Sequence, residues 1–330
     1  MLNPDLKLNT KLFEEEFAQK ATREGYGDAL SELGDKNPDV VVLSADLTDS
    51  TKSGGFAKKF PERFFEVGVA EQNMAAIAAG LGVSGKIPFI SSYATFSPGK
   101  NLETIRTTIA YNDSNVKIGG HHSGIMTGAD GATHQATEDI AIMRSMPNMQ
   151  VLVPCDAAEA KKATEAAANT KCPVYIRFTR DKTPQITTLD TPFEVGKIDK
   201  FWVSEKPQCV IFATGYMLYY ALVAAKELED EKIQVTVVNV ASIKPLDTKS
   251  VIEFTKEAGC TVTVEDHQIT GGLGGAIAET LAANFPAPIE FIGLQNTFAE
   301  SGLPKELVEK YKMGTSSIKE AVKKVVKRKK

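Results

Sequence analysis

Val40-Val41-Val42-Leu43-Ser44 runs into Ala45-Asp46-Leu47-Thr48-Asp49-Ser50, and Gly68-Val69-Ala70-Glu71-Gln72-Asn73-Met74 runs into a series of alanines and glycines ending near Leu81. A β-branched run without polar alternation suits a strand covered on both faces. The second stretch, with a glutamate in its first turn and small residues after it, predicts a helix over Glu71–Leu81. The same alternation recurs along the chain. Strands are expected at Val151–Pro154, Val174–Phe178, Val210–Thr214, Gln234–Val240 and Thr261–Glu265. Helices are expected at Ala158–Ala167, Leu218–Leu228 and Gly275–Ala283. Strands alternating with helices predict an α/β chain built on parallel sheets. Thr183–Lys206 carries Pro184 and Pro192 without a sustained period, and reads as a linker. The boundary falls near residue 188, giving domains 1–188 and 189–330.

The 330 residues suffice for two ordinary cores. A formal net charge of -4 gives no global basic field, so nucleic acid is not an expected partner. No stretch of about 18 apolar residues exists, which excludes a transmembrane helix, and Met1-Leu2-Asn3-Pro4-Asp5 lacks the apolar core of a signal peptide. The terminal run Lys323–Lys330 reads as a solvated helix end. Cys155, Cys172, Cys209 and Cys260 are far apart and form no Cys-x-x-Cys pair. They read as small buried hydrophobes in a reducing cytoplasm.

Four groups of residues carry chemistry. Glu71 either caps its helix through the dipole or serves as a semi-buried carboxyl that shares a proton with a ring nitrogen of a ligand. Ser91-Ser92-Tyr93-Ala94-Thr95-Phe96-Ser97-Pro98-Gly99 sets two aromatics three apart among small residues. They form either core packing or a stacking platform for a flat heteroaromatic ring. Gly119-Gly120-His121-His122-Ser123-Gly124 leads to Gly128-Ala129-Asp130-Gly131-Ala132-Thr133-His134-Gln135. Three of the four histidines fall there, among glycines that allow close ligand approach. Histidine beside aspartate suits hydroxyl recognition and proton transfer, and the set is poor for zinc. Arg23, Ser50 and Arg180 form the fourth group. Arg180 stands just past a parallel strand, where open α/β sheets bind ligands. Taken singly, each is a surface contact; converging, they would hold a phosphate. Glu265-Asp266-His267 before Gly271-Gly272-Leu273-Gly274-Gly275 reads as strand, turn and helix, a turn-and-cap structure at a subunit contact rather than a nucleotide site.

The ordered set Ser44-Ala45-Asp46-Leu47-Thr48, Val69-Ala70-Glu71-Gln72, Tyr93-Ala94-Thr95-Phe96, Asp130-Gly131-Ala132-Thr133-His134-Gln135 and Thr179-Arg180 resembles the transketolase family from about Arg23 to the last helix. The resemblance implies a thiamine diphosphate pyrimidine-binding fold followed by a transketolase C-terminal-like domain. By the same resemblance, Glu71 contacts the aminopyrimidine ring of the cofactor, Phe96 and Tyr93 form its aromatic wall, and Asp46 lies near it. His122 and Asp130 contact the donor sugar's hydroxyls, with His122 also counted as catalytic, and His134 lies deeper in the channel. Arg23, Ser50 and Arg180 are the implied sugar-phosphate anchors, and His121 has no counterpart. The family's Gly-Asp-Gly segment with a distal asparagine is absent; Gly27-Asp28-Ala29 and Ala129-Asp130-Gly131 do not fit it. The implied partner is therefore an N-terminal transketolase subunit that holds the diphosphate and a Mg²⁺ or Ca²⁺ ion, in an assembly of two plus two chains. The implied reaction is two-carbon ketol transfer between sugar phosphates in the pentose phosphate pathway. The alternatives are a deoxyxylulose-phosphate synthase, a 2-oxoacid dehydrogenase beta subunit, and a non-catalytic scaffold.

Overall fold

The computed structural model describes residues 1–329; Lys330, the end of the basic run, lies outside the described residues. The first part of the chain runs β1 (Gln19–Lys20), α1 (Thr22–Lys36), β2 (Val40–Ser44), α2 (Gly54–Lys59), β3 (Phe64–Glu66), α3 (Glu71–Val83), β4 (Ile87–Tyr93) and α4 (Leu102–Thr104). It continues through β5 (Lys117–His121), α5 (Asp139–Ser145), β6 (Gln150–Leu152), α6 (Ala157–Ala168) and β7 (Val174–Arg177). The remainder runs β8 (Thr183–Pro184), β9 (Asp199–Trp202), β10 (Cys209–Ala213), α7 (Met217–Asp230), β11 (Val235–Asn239), β12 (Ser242–Lys244) and α8 (Thr248–Ala258). It ends with β13 (Thr261–Gln268), α9 (Leu273–Asn284), β14 (Ile289–Leu294), α10 (Pro304–Lys310) and α11 (Thr315–Val326). The protein is an α/β fold with two parallel-rich sheets.

The seven-stranded sheet has the order β12-β6-β7-β5-β4-β2-β3, and the five-stranded sheet the order β14-β13-β10-β11-β9. Strands β2, β5 and β7 are buried at every residue, because helices cover both faces of a parallel sheet. Two apolar clusters lie on the two faces of the first sheet, one around Leu43, Ile90 and Ile118, the other around Val42, Phe89 and Ile176. The odd and even residues of each strand thus feed different clusters.

Both sheets are parallel-rich, as expected, and each also carries one antiparallel edge strand. Strand β12 joins β6 antiparallel, and β9 joins β11 antiparallel. Each closes an edge with a short strand that single-strand periodicity does not reveal. The stretch expected to be a linker contains β8 and β9, so its prolines punctuate edge strands rather than a free connection. Residues before β1 also pack away from the first sheet. Leu6, Leu8 and Leu12 join the core of the second, and Leu2 bridges to Trp202. The basic C-terminal helix is partly ion-paired rather than simply solvated: Lys319 reaches Glu227 and Glu231 at 2.8 and 2.9 Å, and Lys324 reaches Glu290 at 2.8 Å.

Candidate active site

Chemistry-bearing residues emerge where parallel strands of the first sheet end. Asp46 and Ser50 follow β2; Gly68 to Glu71 follow β3; Phe96 follows β4, which ends at Tyr93; His122 follows β5; Arg180 follows β7. These five strands are neighbours in the sheet. One carboxyl edge therefore gathers segments far apart in sequence, as open α/β sheets do for ligands. Helix α1 starts at the same edge. Thr179 donates its N–H to Thr22 Oγ1 at 2.7 Å, which pins the helix start to the end of β7 and points Arg23 at the site.

Glu71 is the first residue of α3 and is buried at 2 % exposure. Its Oε2 accepts from Lys100 Nζ at 2.7 Å, and its carbonyl accepts from Asn101 Nδ2 at 3.0 Å. The Lys100 side chain is 46 % exposed and so can turn into solvent when another group takes its place on the buried carboxyl. The Lys100 N–H bonds to Phe96 O at 3.0 Å, tying the acid to the aromatic segment. Tyr93 and Phe96 stack with centroids 5.9 Å apart and planes at 21°. The other close neighbours of this pair are His122, stacked on Tyr93 at 3.9 Å, and His134, edge-on to Phe96 at 5.4 Å.

Arg23 Nη1 donates to Ser50 O at 2.8 Å and to His122 Nε2 at 2.9 Å. A guanidinium only donates, so His122 Nε2 accepts and its proton sits on Nδ1. That Nδ1 is buried and has no partner. Burial first, then the Arg23 and Arg180 charges, push the His122 pKa down to about 3, so the ring is a neutral donor at pH 7. Arg180 Nη1 donates to Asp130 Oδ1 at 3.0 Å and to Thr127 O at 2.8 Å. Arg23, Ser50, Tyr93, Phe96, His122 and His134 are thus joined by direct contacts; the Arg180–Asp130 pair is joined to His122 through Thr127, and Glu71 to Phe96 through Lys100. Asp46 stands apart: it is exposed, and only its backbone N–H is engaged, with Glu66 Oε1 at 2.7 Å.

The reading of the sequence missed two contributors. Glu66 accepts from Asp46 N, from Gly68 N at 3.0 Å and from Thr48 Oγ1 at 2.7 Å, and so fixes the turns on either side of the site. Lys100 is the other. Neither sits in a motif, and only the fold brings them to their partners. Among the described residues no cluster of His, Cys, Asp or Glu has metal-ligand geometry. Among the described residues no helix is long and apolar enough to cross a membrane.

The adjacent histidines divide sharply. His121 lies between Phe178, stacked at 4.8 Å, and Tyr26, edge-on at 4.9 Å, with both ring nitrogens unpaired. Burial holds its pKa well below the ordinary histidine value. Both histidines stay neutral in the fold but take protons near pH 6.5 when unfolded. Their contribution is complete above about pH 6.5 and declines as pH falls toward 3, with His122 alone costing about 2 kcal/mol by pH 5. Replacing His121 with Phe removes two unpaired buried nitrogens from an aromatic slot. His121→Phe is expected to raise stability by about 1–2 kcal/mol at pH 7 and to reduce acid sensitivity, as read from urea unfolding at pH 7 and pH 5.

Comparisons with known proteins agree with this architecture. The transketolase pyrimidine-binding domain matches residues 18–185, and the transketolase C-terminal domain matches residues 202–318. The chain is 45% identical over 302 residues to a protein of Methanocaldococcus jannaschii provisionally named as a transketolase C-terminal section, covering 91% of this chain and 94% of that one. It is 35% identical over 304 residues to Homo sapiens transketolase, covering 92% of this chain and 48% of the human protein. Among solved structures it resembles a split-gene transketolase in an inactive β4 tetramer, with a TM-score of 0.88 and 46% identity, over 94% of this chain and 99% of that one. The chain belongs to the transketolase family.

Proposed function

We propose that this chain is the C-terminal half of a split transketolase and transfers a two-carbon ketol unit between sugar phosphates when joined to an N-terminal subunit. The observation that carries the reading is the buried Glu71 carboxyl at the start of α3, tied through Lys100 to the Phe96 platform. Two supporting features are the match of this chain to half of the human enzyme and to nearly all of the two split sections. In this reading residues 1–188 form the pyrimidine-binding unit and 189–330 the C-terminal unit, with residues 1–13 folded back on the latter.

The residues present suit thiamine diphosphate. Phe96 offers a partly exposed ring, Glu71 a carboxyl whose present partner is a half-exposed lysine, and His122 an unpaired Nδ1–H. Thiamine diphosphate, when bound, supplies the carbon nucleophile and the electron sink for the two-carbon unit. Glu71 gives up Lys100 and shares a proton with a ring nitrogen. Phe96, backed by Tyr93, holds the flat ring, and a place for Asp46 near it rests on the family resemblance alone. His122 donates from Nδ1 to a sugar hydroxyl, in a tautomer that Arg23 enforces, and Asp130 accepts from another. His134 lines the channel. Arg23, Arg180 and Ser50 receive the sugar phosphate.

The N-terminal subunit holds the diphosphate and its Mg²⁺ or Ca²⁺ ion. The outward face of α3 carries Ala76, Ile77, Gly80 and the 67 % exposed Val83, beside Val69 at 68 %. Small and apolar side chains let a second helix approach closely, so this face fits a subunit contact in an assembly of two plus two chains. The split relative solved as an inactive β4 tetramer supports self-association and the need for a second kind of chain. The four free cysteines suit a reducing cytoplasm, and the reaction places the enzyme in the pentose phosphate pathway.

Mixing the chain with its N-terminal partner, thiamine diphosphate and Mg²⁺ is expected to give ketol transfer from xylulose 5-phosphate to ribose 5-phosphate. Carbon dioxide release from pyruvate instead, or no turnover, overturns the proposal. In the same assay Arg180→Ala is expected to raise KM for the phosphorylated donor roughly tenfold or more, with hydroxypyruvate turnover little changed. Equal damage with hydroxypyruvate contradicts a phosphate-holding role.

A further inference from the structure

Residues 122–135 form an irregular loop that carries His122, Asp130 and His134. Turn bonds such as Gln135 Nε2 to Gly128 O at 3.1 Å and Thr127 Oγ1 to His122 O at 2.5 Å shape the loop from within, but none engages the Ile125 N–H. Gly124, Gly128 and Gly131 all have positive φ, and the stretch between them is a broken 3-10 turn. A loop with three such glycines also gains order from contacts outside it.

Phe178, Arg180 and Glu300 each contribute such contacts, and at Ile125 the contact comes from β13 of the second sheet. Successive side chains of a strand point to opposite faces. Glu265 turns to its own domain and caps α9, accepting from Leu273 N at 2.7 Å and Gly274 N at 2.8 Å. Asp266 turns the other way. Its Oδ1 accepts from the Ile125 N–H at 3.1 Å, and its carbonyl accepts from Arg177 Nη2 at 2.8 Å. The same Arg177 nitrogen donates to Ala136 O at 3.1 Å. Gln268 N donates to Thr137 O at 2.8 Å. Residues 266–268 therefore grip the loop near its start, at Ile125, and the chain just past its end, at Thr137. The fit at Gly124 is close: a Cβ there would lie 1.9 Å from Asp266 Oδ2. Asp266 is 2 % exposed, and its Oδ2 lies beside the buried Tyr216 hydroxyl without good hydrogen-bond geometry.

We infer that Asp266 is a positioning residue: its carboxylate holds the backbone at Ile125 so that His122 and Asp130 meet the sugar, which gives the C-terminal domain a role in the site it does not itself line. The kinetic part rests on the reading of this loop as the sugar site. The structural part does not.

Hydrogen exchange on the full chain alone and steady-state kinetics on the chain with its partner test the two parts separately. Asp266→Ala removes the acceptor. It is expected to speed exchange at Ile125 and across 124–131 at least tenfold, with β5 and β7 unchanged. In the complex it is expected to lower kcat/KM for xylulose 5-phosphate about 10- to 100-fold, mainly through KM, with thiamine diphosphate affinity within about threefold of the parent. Asp266→Asn keeps an acceptor at Oδ1 and can turn its amide toward Tyr216, so it is expected to restore both readouts. If the Asp266→Ala chain does not fold, Asp266→Ser, whose shorter side chain falls short of the Ile125 N–H but keeps a polar group in the site, must give the same local acceleration. Unchanged exchange at 124–131 overturns the inference whatever the activity. Accelerated exchange with unchanged kcat/KM overturns its kinetic part. Accelerated exchange with a parent complex that performs no ketol transfer sinks the transketolase reading and leaves the structural part standing.

Discussion

Glu71→Gln is expected to lower kcat of the assembled enzyme by about 10²- to 10⁴-fold while leaving the fold and the subunit contact intact. Glutamine keeps the shape of the side chain and one acceptor oxygen, so the buried start of α3 stays packed. What it loses is the ability to hold and release a proton at a ring nitrogen. The lost pairing with Lys100 contributes little to stability, since that side chain is largely in water. Measuring turnover beside the sedimentation of the complex separates the two effects. A Glu71→Gln complex with near-parental kcat would remove the proton-sharing role from this carboxyl.

Asp139→Ala is expected to destabilise the chain by about 3–5 kcal/mol, the largest stability effect of any single change considered. Its Oδ2 accepts from Arg177 Nε at 2.8 Å and from the Tyr175 hydroxyl at 2.6 Å, and the side chains of Asp139 and Arg177 are only 1 % and 5 % exposed. Removing the carboxylate strands a guanidinium and a phenol inside the protein. The Asp139→Ala, Arg177→Met double variant is expected to recover part of the loss, because it removes the charge left unpaired. Urea unfolding of the three variants measures this. A loss below about 1 kcal/mol would mean that water or Asp266 compensates Arg177 in full.

Much of the first sheet is legible from residue order. Val40–Ser44 forms a strand at the predicted residues because five consecutive apolar or small residues can be buried only between two helical layers. Helix α3 begins at Glu71 as predicted and runs two residues beyond Leu81. The ends of β2 and β7 are legible to within one residue, whereas β3 and β5, which also deliver site residues, are not among the expected strands. What sequence does not convey is pairing at a distance. Lys100 lies 29 positions from Glu71, and Glu66 lies 20 from Asp46. Asp266 lies 141 from Ile125. Each of these contacts depends on how sheets stack, and no local period encodes it. The two histidines illustrate the same limit. At adjacent positions they are equivalent as sequence, yet one turns into an aromatic core and the other meets two arginines.

The exposed turn at Asp46 is a different lesson. Its φ of 61° is tolerated by aspartate better than by most residues, and Glu66 fixes its N–H. That turn chemistry alone accounts for an aspartate at this position, whereas at Glu71 capping alone does not explain burial to 2 %. The burial of Glu71 beside the aromatic segment is the more informative fact.

The most direct measurement is a crystal structure of this chain with its N-terminal partner and thiamine diphosphate. The account predicts the aminopyrimidine ring on the face of Phe96, with a ring nitrogen about 2.5–3.0 Å from the Glu71 carboxylate and Lys100 displaced from it. A ring bound elsewhere, or a Glu71 still paired only with Lys100, would contradict it.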